Sequence, residues 1–301
     1  MSSQIKNVIL IGAGGKLGPF ILSAFDSDPR FNITILSRAS STSTFPAHIK
    51  IHTISDDYPE LELLKAFKGQ DAIISTIATA SAEQQKSFIE VAIKVGVKRF
   101  VPSEFGGDVR NENAMALLPQ FFKGKLDIVE YLKGKEREGL TWTSFVTGPF
   151  FDLAMKIGYM GINIQEQKAT LYNNGTSLWC TTTMAAIGLA VKNAMLISEK
   201  TANKYMYIDS FTVSQKQVLA AFEKATGKKW PVTYADAEED KKDGLEKMAK
   251  GDFSGAAQLI RYINLVDGHG GNYMQYKEGA NELLSVPKQS LDGVVAGIVK
   301  G

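Results

Sequence analysis

The chain has 301 residues, 44% of them apolar and 22% charged, and carries a net charge of +2. That mixture is the globular norm, long enough for two domains and for a large core that needs no covalent staples. A balance this close to neutral lacks the basic excess of a nucleic-acid binder, so no nucleic-acid partner is expected.

The lone cysteine, Cys180, excludes an internal disulfide and a cysteine-spaced zinc cluster. His48, His52 and His269 are too scattered to ligate a metal. The first apolar run, Val8-Ile9-Leu10-Ile11, is cut at Gly12, too short for a secretory core or a membrane span. The expectation is a cytoplasmic protein with no membrane partner, a monomer or a homodimer.

In chain order, the first half alternates short apolar runs with amphipathic stretches. Strands are predicted at Asn7–Ile11, Asn32–Ser37, Ile49–Thr53, Ala72–Ser75, Arg99–Pro102 and Thr141–Thr147. Helical patterns lie between them at Leu17–Ser27, Leu61–Phe67, Ala82–Val95 and Phe121–Glu138. Strands rich in Val and Ile without polar alternation are buried on both faces, as in a parallel sheet covered by helices. Alternation of strand and helix implies an α/β, doubly wound parallel sheet. Such sheets bind ligands beyond the carboxyl ends of their strands, here just after Ile11, Ser37, Ser75, Pro102 and Thr147.

The second half is less regular. It shows a helix at Thr182–Leu196, a strand at Lys204–Ile208 and a short strand at Pro231–Tyr234. Ser214-Gln215-Lys216-Gln217 is a capping box that opens a helix to about Thr226. The mixed charges of Asp236–Lys250 read as a solvated helix face, and Ser40–Thr44 as a mobile loop. The predicted division is a nucleotide-binding domain over residues 1–151, completed by a return segment near 182–225. The rest of 152–301 is expected to be a smaller α+β domain for the substrate.

Gly12-Ala13-Gly14-Gly15-Lys16-Leu17-Gly18 follows a strand and opens a helix. A glycine-rich turn there lets the backbone approach a pyrophosphate, which meets the unpaired N–H groups of the helix start. The spacing is Gly12-x-x-Gly15-x-x-Gly18; the Gly-x-Gly-x-x-Gly form needs glycine where Leu17 stands. At the end of the second strand, where a carboxylate would hold the ribose of NAD, the chain reads Leu36-Ser37-Arg38. A guanidinium fork grips a 2′-phosphate, so NADP (NADPH) is the expected cofactor of a Rossmann-type domain. Ser75, Thr76 and Ile77 end the fourth strand beside it, and Gly148, Pro149 and Phe150 follow the sixth, next to the nicotinamide.

Lys98-Arg99-Phe100-Val101-Pro102-Ser103-Glu104-Phe105-Gly106 turns from a buried strand into a loop at the same sheet edge, with Ser103, Glu104 and Phe105 expected to face the cleft. This string, with the glycine turn and Arg38, resembles the isoflavone reductase-like branch of the NmrA-like, atypical short-chain dehydrogenases over roughly residues 5–230. The resemblance implies NADPH-dependent reduction of small aromatic or phenolic molecules at a conjugated C=C bond, a benzylic ether or a quinone-like C=O.

The resemblance also implies a catalytic lysine on the helix before Gly139-Leu140-Thr141-Trp142-Thr143. The family frame fits Phe122, Lys125, Ile128 and Leu132, which selects Lys125 and also places it at the cofactor. Lys123, two residues earlier, is the alternative, and solvated positions for both lysines are the plain reading. Tyr131 and Lys135 have the spacing of the conventional short-chain dehydrogenase pair, with Ser103 upstream, but Gly134 weakens that end of the helix.

Phe105, Phe121, Phe122, Phe150, Phe151 and Tyr159, with Met155 and Met160, crowd the expected mouth. An apolar aromatic pocket suits a flat aromatic substrate, and half of these side chains are as well explained by core packing. Phe105, Phe122, Phe151 and Tyr159, with Ser103 and Glu104, form the expected substrate site. Cys180 beside Trp179 reads as a small buried side chain without chemistry. A second class of function stays open: a regulator that senses NADP(H) without turnover, a type that lacks the active-site lysine.

Overall fold

Strict alternation inside apolar strands divides this core into two layers. Along the first strand Val8 and Leu10 join one buried cluster, while Ile9 and Ile11 join the cluster on the opposite face. The same division holds for Ile33 and Ile35 against Leu36, and for Ala72 and Ile74 against Ile73. Both faces of the sheet are therefore dry, which is why its strands read as continuous apolar runs.

The computed structural model describes residues 4–300. Its strands are β1 (Asn7–Ile11), β2 (Asn32–Arg38), β3 (Lys50–Ile54), β4 (Ala72–Ser75), β5 (Arg99–Val101), β6 (Thr141–Val146), β7 (Ile162–Asn163), β8 (Lys168–Tyr172), β9 (Leu178–Thr181), β10 (Lys204–Tyr207), β11 (Phe211–Ser214) and β12 (Val232–Ala235). Its helices are α1 (Gly18–Asp26), α2 (Glu60–Phe67), α3 (Gln84–Lys94), α4 (Glu112–Leu117), α5 (Pro119–Gly134), α6 (Phe151–Lys156), α7 (Met184–Leu196), α8 (Ser198–Thr201), α9 (Gln215–Thr226), α10 (Ala237–Ala249), α11 (Gly255–Leu265) and α12 (Leu291–Lys300).

Seven strands form one parallel sheet in the order β10-β6-β5-β4-β1-β2-β3. Helices cover both faces, so the fold is the doubly wound α/β arrangement, and its order reverses between β1 and β4. The return strand β10 pairs with β6, Met206 opposite Phe145, and α7 lies on α1. Gly188 makes that approach possible, because a Cβ there would sit 2.4 Å from the Phe20 carbonyl oxygen. Buried Arg99 ties the return segment down: its guanidinium donates to Thr141, Thr143 and Thr201 hydroxyls and, at 2.6 Å, to the Ser198 carbonyl.

The second half is more ordered than its sequence pattern indicates. A three-stranded sheet, β12-β8-β7, and an antiparallel pair, β11-β9, surround a core of Phe151, Trp179, Phe222 and Trp230. The capping box at Ser214 is present, with Gln217 returning the bond to the Ser214 N–H. Helix α10 buries Ala237 and Gly244 and exposes most of its charges, while Asp240 is shielded in an ion pair with Arg261 of α11 at 2.7 Å. Gly244 packs against Gly255 of α11, a Cβ on Gly255 lying 2.3 Å from the Gly244 carbonyl oxygen. The stretch read as one helix to Glu138 divides into α5 and a 3-10 turn at Glu136–Glu138.

Candidate active site

The turn after β1 is built by backbone conformation. Gly12 has φ +84°, a left-handed conformation that suits glycine, and any Cβ would meet the Thr76 carbonyl at 2.8 Å. Gly18 begins α1 directly beneath Gly12 and Ala13, whose carbonyl oxygens lie 2.4 and 2.5 Å from where its Cβ would be. No side chain caps α1; Pro19 lacks an N–H and the Phe20 N–H donates to the Leu17 carbonyl at 3.0 Å, so the Gly18 N–H is the one at the helix start left to meet an anion.

A cleft of about 600 Å³ opens over this turn, lined by Gly12, Ala13, Gly14, Gly15, Ser37, Arg38, Thr76 and Ile77 among others. Lys16, Leu17, Gly18 and Ser75 lie off its wall: Lys16 is exposed, while Leu17, Gly18 and Ser75 are buried under the turn. Arg38 stands exposed at the rim. The sequence pattern missed Asp56, a carboxylate that reaches the same cleft from just beyond β3. Asp56 accepts the Ser40 N–H at 3.0 Å and the Ser40 hydroxyl. Those bonds, with the Arg38 charge, hold its carboxyl below the usual range. Ser43 lies directly over Gly14, so the serine-rich segment folds across the turn.

A second cavity of about 460 Å³ lies beyond β5 and β6, lined by Phe105, Phe122, Lys125, Gly148, Pro149, Phe150 and Tyr159, and by Ala257, Ile260 and Asn264 of α11. Helix α5 buries Phe122, Ile128, Val129 and Leu132 on one face. Lys125, one turn after Phe122, shares that face, and its Nζ donates to the Glu104 carbonyl at 2.5 Å. Burial lowers its basicity, opposed by the charge of Glu104. Lys123 points to solvent, where its ammonium pairs with Asp127 at 2.7 Å.

Tyr131 and Lys135 both turn to Glu90 of α3, Lys135 at 2.8 Å and Tyr131 through its hydroxyl. They are thereby remote from the cavity wall. The Tyr159 hydroxyl is buried without a partner, and burial holds its ionisation well above the ordinary phenol range.

Three residues expected at the substrate do not face this cavity. Ser103 donates its hydroxyl to the Ile77 carbonyl at 2.7 Å and receives no place on the wall. Phe151 is fully buried against Phe211, ring centroids 5.0 Å apart, because it opens α6 with its ring toward the second core. Glu104 is also buried: one carboxyl oxygen accepts the Ser144 hydroxyl and the other has no partner. Phe105 does reach the wall, stacked on Phe145 with the rings 11° from parallel. Met155 and Met160 belong to the second core, and Phe121 packs where α4, α5 and α11 meet. Cys180 is buried with its sulfur near the Thr212 hydroxyl, and burial pushes its thiol up to about 11.

Among the described residues no cluster of His, Cys, Asp or Glu is placed to hold a metal, and no helix is long and apolar enough to cross a membrane.

Comparison with known proteins covers nearly the whole chain. Oxidoreductase aprR of Aspergillus flavus is 52% identical over 98% of this chain and 99% of its own length. Phenylcoumaran benzylic ether reductase PT1 of Pinus taeda is 28% identical over 78% of this chain and 79% of its own. The Vitis vinifera leucoanthocyanidin reductase complex with NADPH superimposes with a TM-score of 0.80 at 19% identity, over 98% of this chain and all of that one. The NmrA-like family model matches residues 4–283, well past the point where the motif resemblance ends. The chain belongs to the NmrA-like family.

Proposed function

We propose that the protein is an NADPH-dependent oxidoreductase that reduces a small aromatic or phenolic metabolite at a conjugated C=C bond, a benzylic ether or a quinone-like C=O. The observation that carries this reading is Lys125, the single amine in the wall of a largely apolar, aromatic cavity that Asn264 also lines. Its relatives agree in kind: one is an oxidoreductase, another a benzylic ether reductase, and the structural neighbour holds NADPH.

The glycine turn and the Gly18 N–H at the start of α1 fit a pyrophosphate, and Ser37 with Arg38 would hold a 2′-phosphate. Thr76 and Ile77 would flank the dinucleotide, and Gly148, Pro149 and Phe150 would lie at its nicotinamide end. Bound NADPH supplies a hydride. Lys125 holds the proton that the reaction also needs, at Nζ. As an ammonium it protonates the substrate oxygen on which negative charge develops; as an amine it removes a phenolic proton. Phe105, Phe122 and Phe150 exclude water and orient a flat ring, while the unpaired Tyr159 hydroxyl bonds a polar group on it. In this division residues 1–151 with α7 to β10 serve the cofactor and the remainder closes over the substrate; the return segment is shorter than the predicted 182–225, because β11 pairs with β9 and Phe222 of α9 packs in the second core.

The test is NADPH oxidation with chalcone, 1,4-naphthoquinone and a 2-arylcoumaran, alongside NADPH binding by fluorescence. Oxidation with at least one class is expected. Tight NADPH binding with no oxidation across the three would favour the sensing regulator instead.

A further inference from the structure

Three side chains on the wall of the aromatic cavity are polar, and the proposed reaction uses only two of them, Lys125 and Tyr159. The third is Asn264, in the last turn of α11 and 5% exposed. Asparagine is a poor helix former, and a buried amide is costly unless its donors and its acceptor are met. A leucine would fill the same space at less cost, so the amide calls for a reason.

Helix geometry fixes which way the side chain goes. Ala257, Ile260 and Asn264 stand at i, i+3 and i+7, one stripe of α11, and all three line the cavity. Ala256 and Leu259 turn instead to the core shared with α4 and α5. The main chain of Asn264 is covered by Gly271, where a Cβ would lie 2.5 Å from the Asn264 carbonyl oxygen. Nδ2 donates to the Ile260 carbonyl at 2.7 Å, which sets the orientation of the amide, because Oδ1 in that place would face another oxygen. Oδ1 is left at the cavity wall and accepts no hydrogen bond among the described residues.

The polar groups of the wall therefore differ in kind. Lys125 and the Tyr159 hydroxyl can donate, whereas Asn264 Oδ1 can only accept. Arg261, one turn before Asn264, donates to the Tyr159 carbonyl at 3.3 Å and fastens that segment to α11. No carboxylate lines the cavity, so a cationic donor would join the Lys125 amine without a counter-charge. The donor that fits is a neutral hydroxyl.

We propose that Asn264 is a specificity-determining residue: its Oδ1 accepts a hydrogen bond from a hydroxyl on the substrate's ring system and so selects a hydroxylated ring over its methyl ether. This rests on the reading of the cavity as the substrate site, and narrows the substrate to one with a free ring hydroxyl besides the group that reacts at Lys125. A methoxy group has no proton to give, and it would leave Oδ1 dry and unpaired.

The experiment measures binding, without turnover. The full chain is saturated with NADP+, and monohydroxychalcones, with the hydroxyl at each ring position in turn, are compared with their methyl ethers by isothermal titration calorimetry. At one position or more the hydroxyl compound is expected to bind wild type about tenfold more tightly than its ether. Asn264→Leu, which removes the acceptor and keeps the bulk, should bring that ratio to within about twofold. Asn264→Ala carries the same readout if the leucine variant does not fold. Three results overturn the proposal: no wild-type preference at any position, no binding of any probe, or a preference that survives in a folded variant. A preference that depends on Asn264, in a protein that reduces none of the probes with NADPH, would leave this subsite standing and remove the reductase reading. Reduction without any preference would do the reverse.

Discussion

Arg38 stands at the rim of the nucleotide cleft, exposed and beside Ser37, where a second negative group on a ribose would lie. Arg38→Ala should weaken NADPH binding by about 1.5–3 kcal/mol, the range for a charge-assisted hydrogen bond, with little effect on NADH. Titrating both nucleotides checks this, and equal losses would assign Arg38 to the fold. The sequence pattern located this cation but not Asp56, because the carboxylate arrives from the neighbouring strand and only the parallel pairing of β2 with β3 brings it there. Tyr159 supplies the second prediction at this scale. Its hydroxyl is buried and unpaired in the free protein, so Tyr159→Phe should leave the melting temperature unchanged or raised. KM for the substrate should rise roughly fivefold, the equivalent of one ordinary hydrogen bond of about 1 kcal/mol. An unchanged KM would mean that the hydroxyl meets no substrate atom. Lys125 and Lys123 show the limit of reading side chains from spacing. Both sit on one helix, and what separates them is the direction each takes from it, one into the wall and one toward Asp127.

The glycine turn was legible as an element because strand, turn and helix follow each other in the chain and need only local geometry. Gly15→Val tests it. A Cβ at Gly15 lies 3.2 Å from the Gly12 carbonyl oxygen, a contact that a small shift absorbs, so the fold should survive. The branched side chain would still stand where the pyrophosphate approaches, and nucleotide binding should be lost with an unchanged circular dichroism spectrum. Retained binding would move the phosphate site elsewhere. Arg99 belongs to the same scale, since it joins β5 to the segment that delivers β10. Burial brings the ionisation of its guanidinium down to about 10, since hydroxyls and a carbonyl stand in place of a carboxylate partner. Arg99→Met should destabilise the protein by roughly 1.5–3 kcal/mol, read from denaturant midpoints. An unchanged midpoint would mean that desolvating the guanidinium cancels what its bonds return.

At the scale of the molecule, the sheet and its two dry faces follow from runs such as Val8–Ile11 and Ala72–Ser75, where period and composition leave one arrangement. The second half was less legible for a physical reason. Strands such as β7 and β9 are two and four residues long, and their pairing is decided by partners far away in the chain. Helix α11 was missed as well, although its buried residues Leu259 and Ile263 recur at helical spacing, and Ile263, with Ala257 and Ile260, helps to close the aromatic cavity. The cavity is thus an assembly of distant segments: Phe105 from the β5 edge, Phe122 and Lys125 from α5, Tyr159 beyond α6, and Ile260 from α11. Its apolar wall and its single amine are properties of the whole chain, and the proposed reaction depends on that amine. The most direct measurement is therefore the turnover number for NADPH oxidation, on whichever probe the wild type reduces, compared among wild type, Lys123→Met and Lys125→Met. Lys123→Met should match wild type, while Lys125→Met should bind NADPH nearly normally and lose about 100- to 1,000-fold in rate, the typical cost of removing one such donor. A Lys125→Met variant that turns over like wild type would contradict the account.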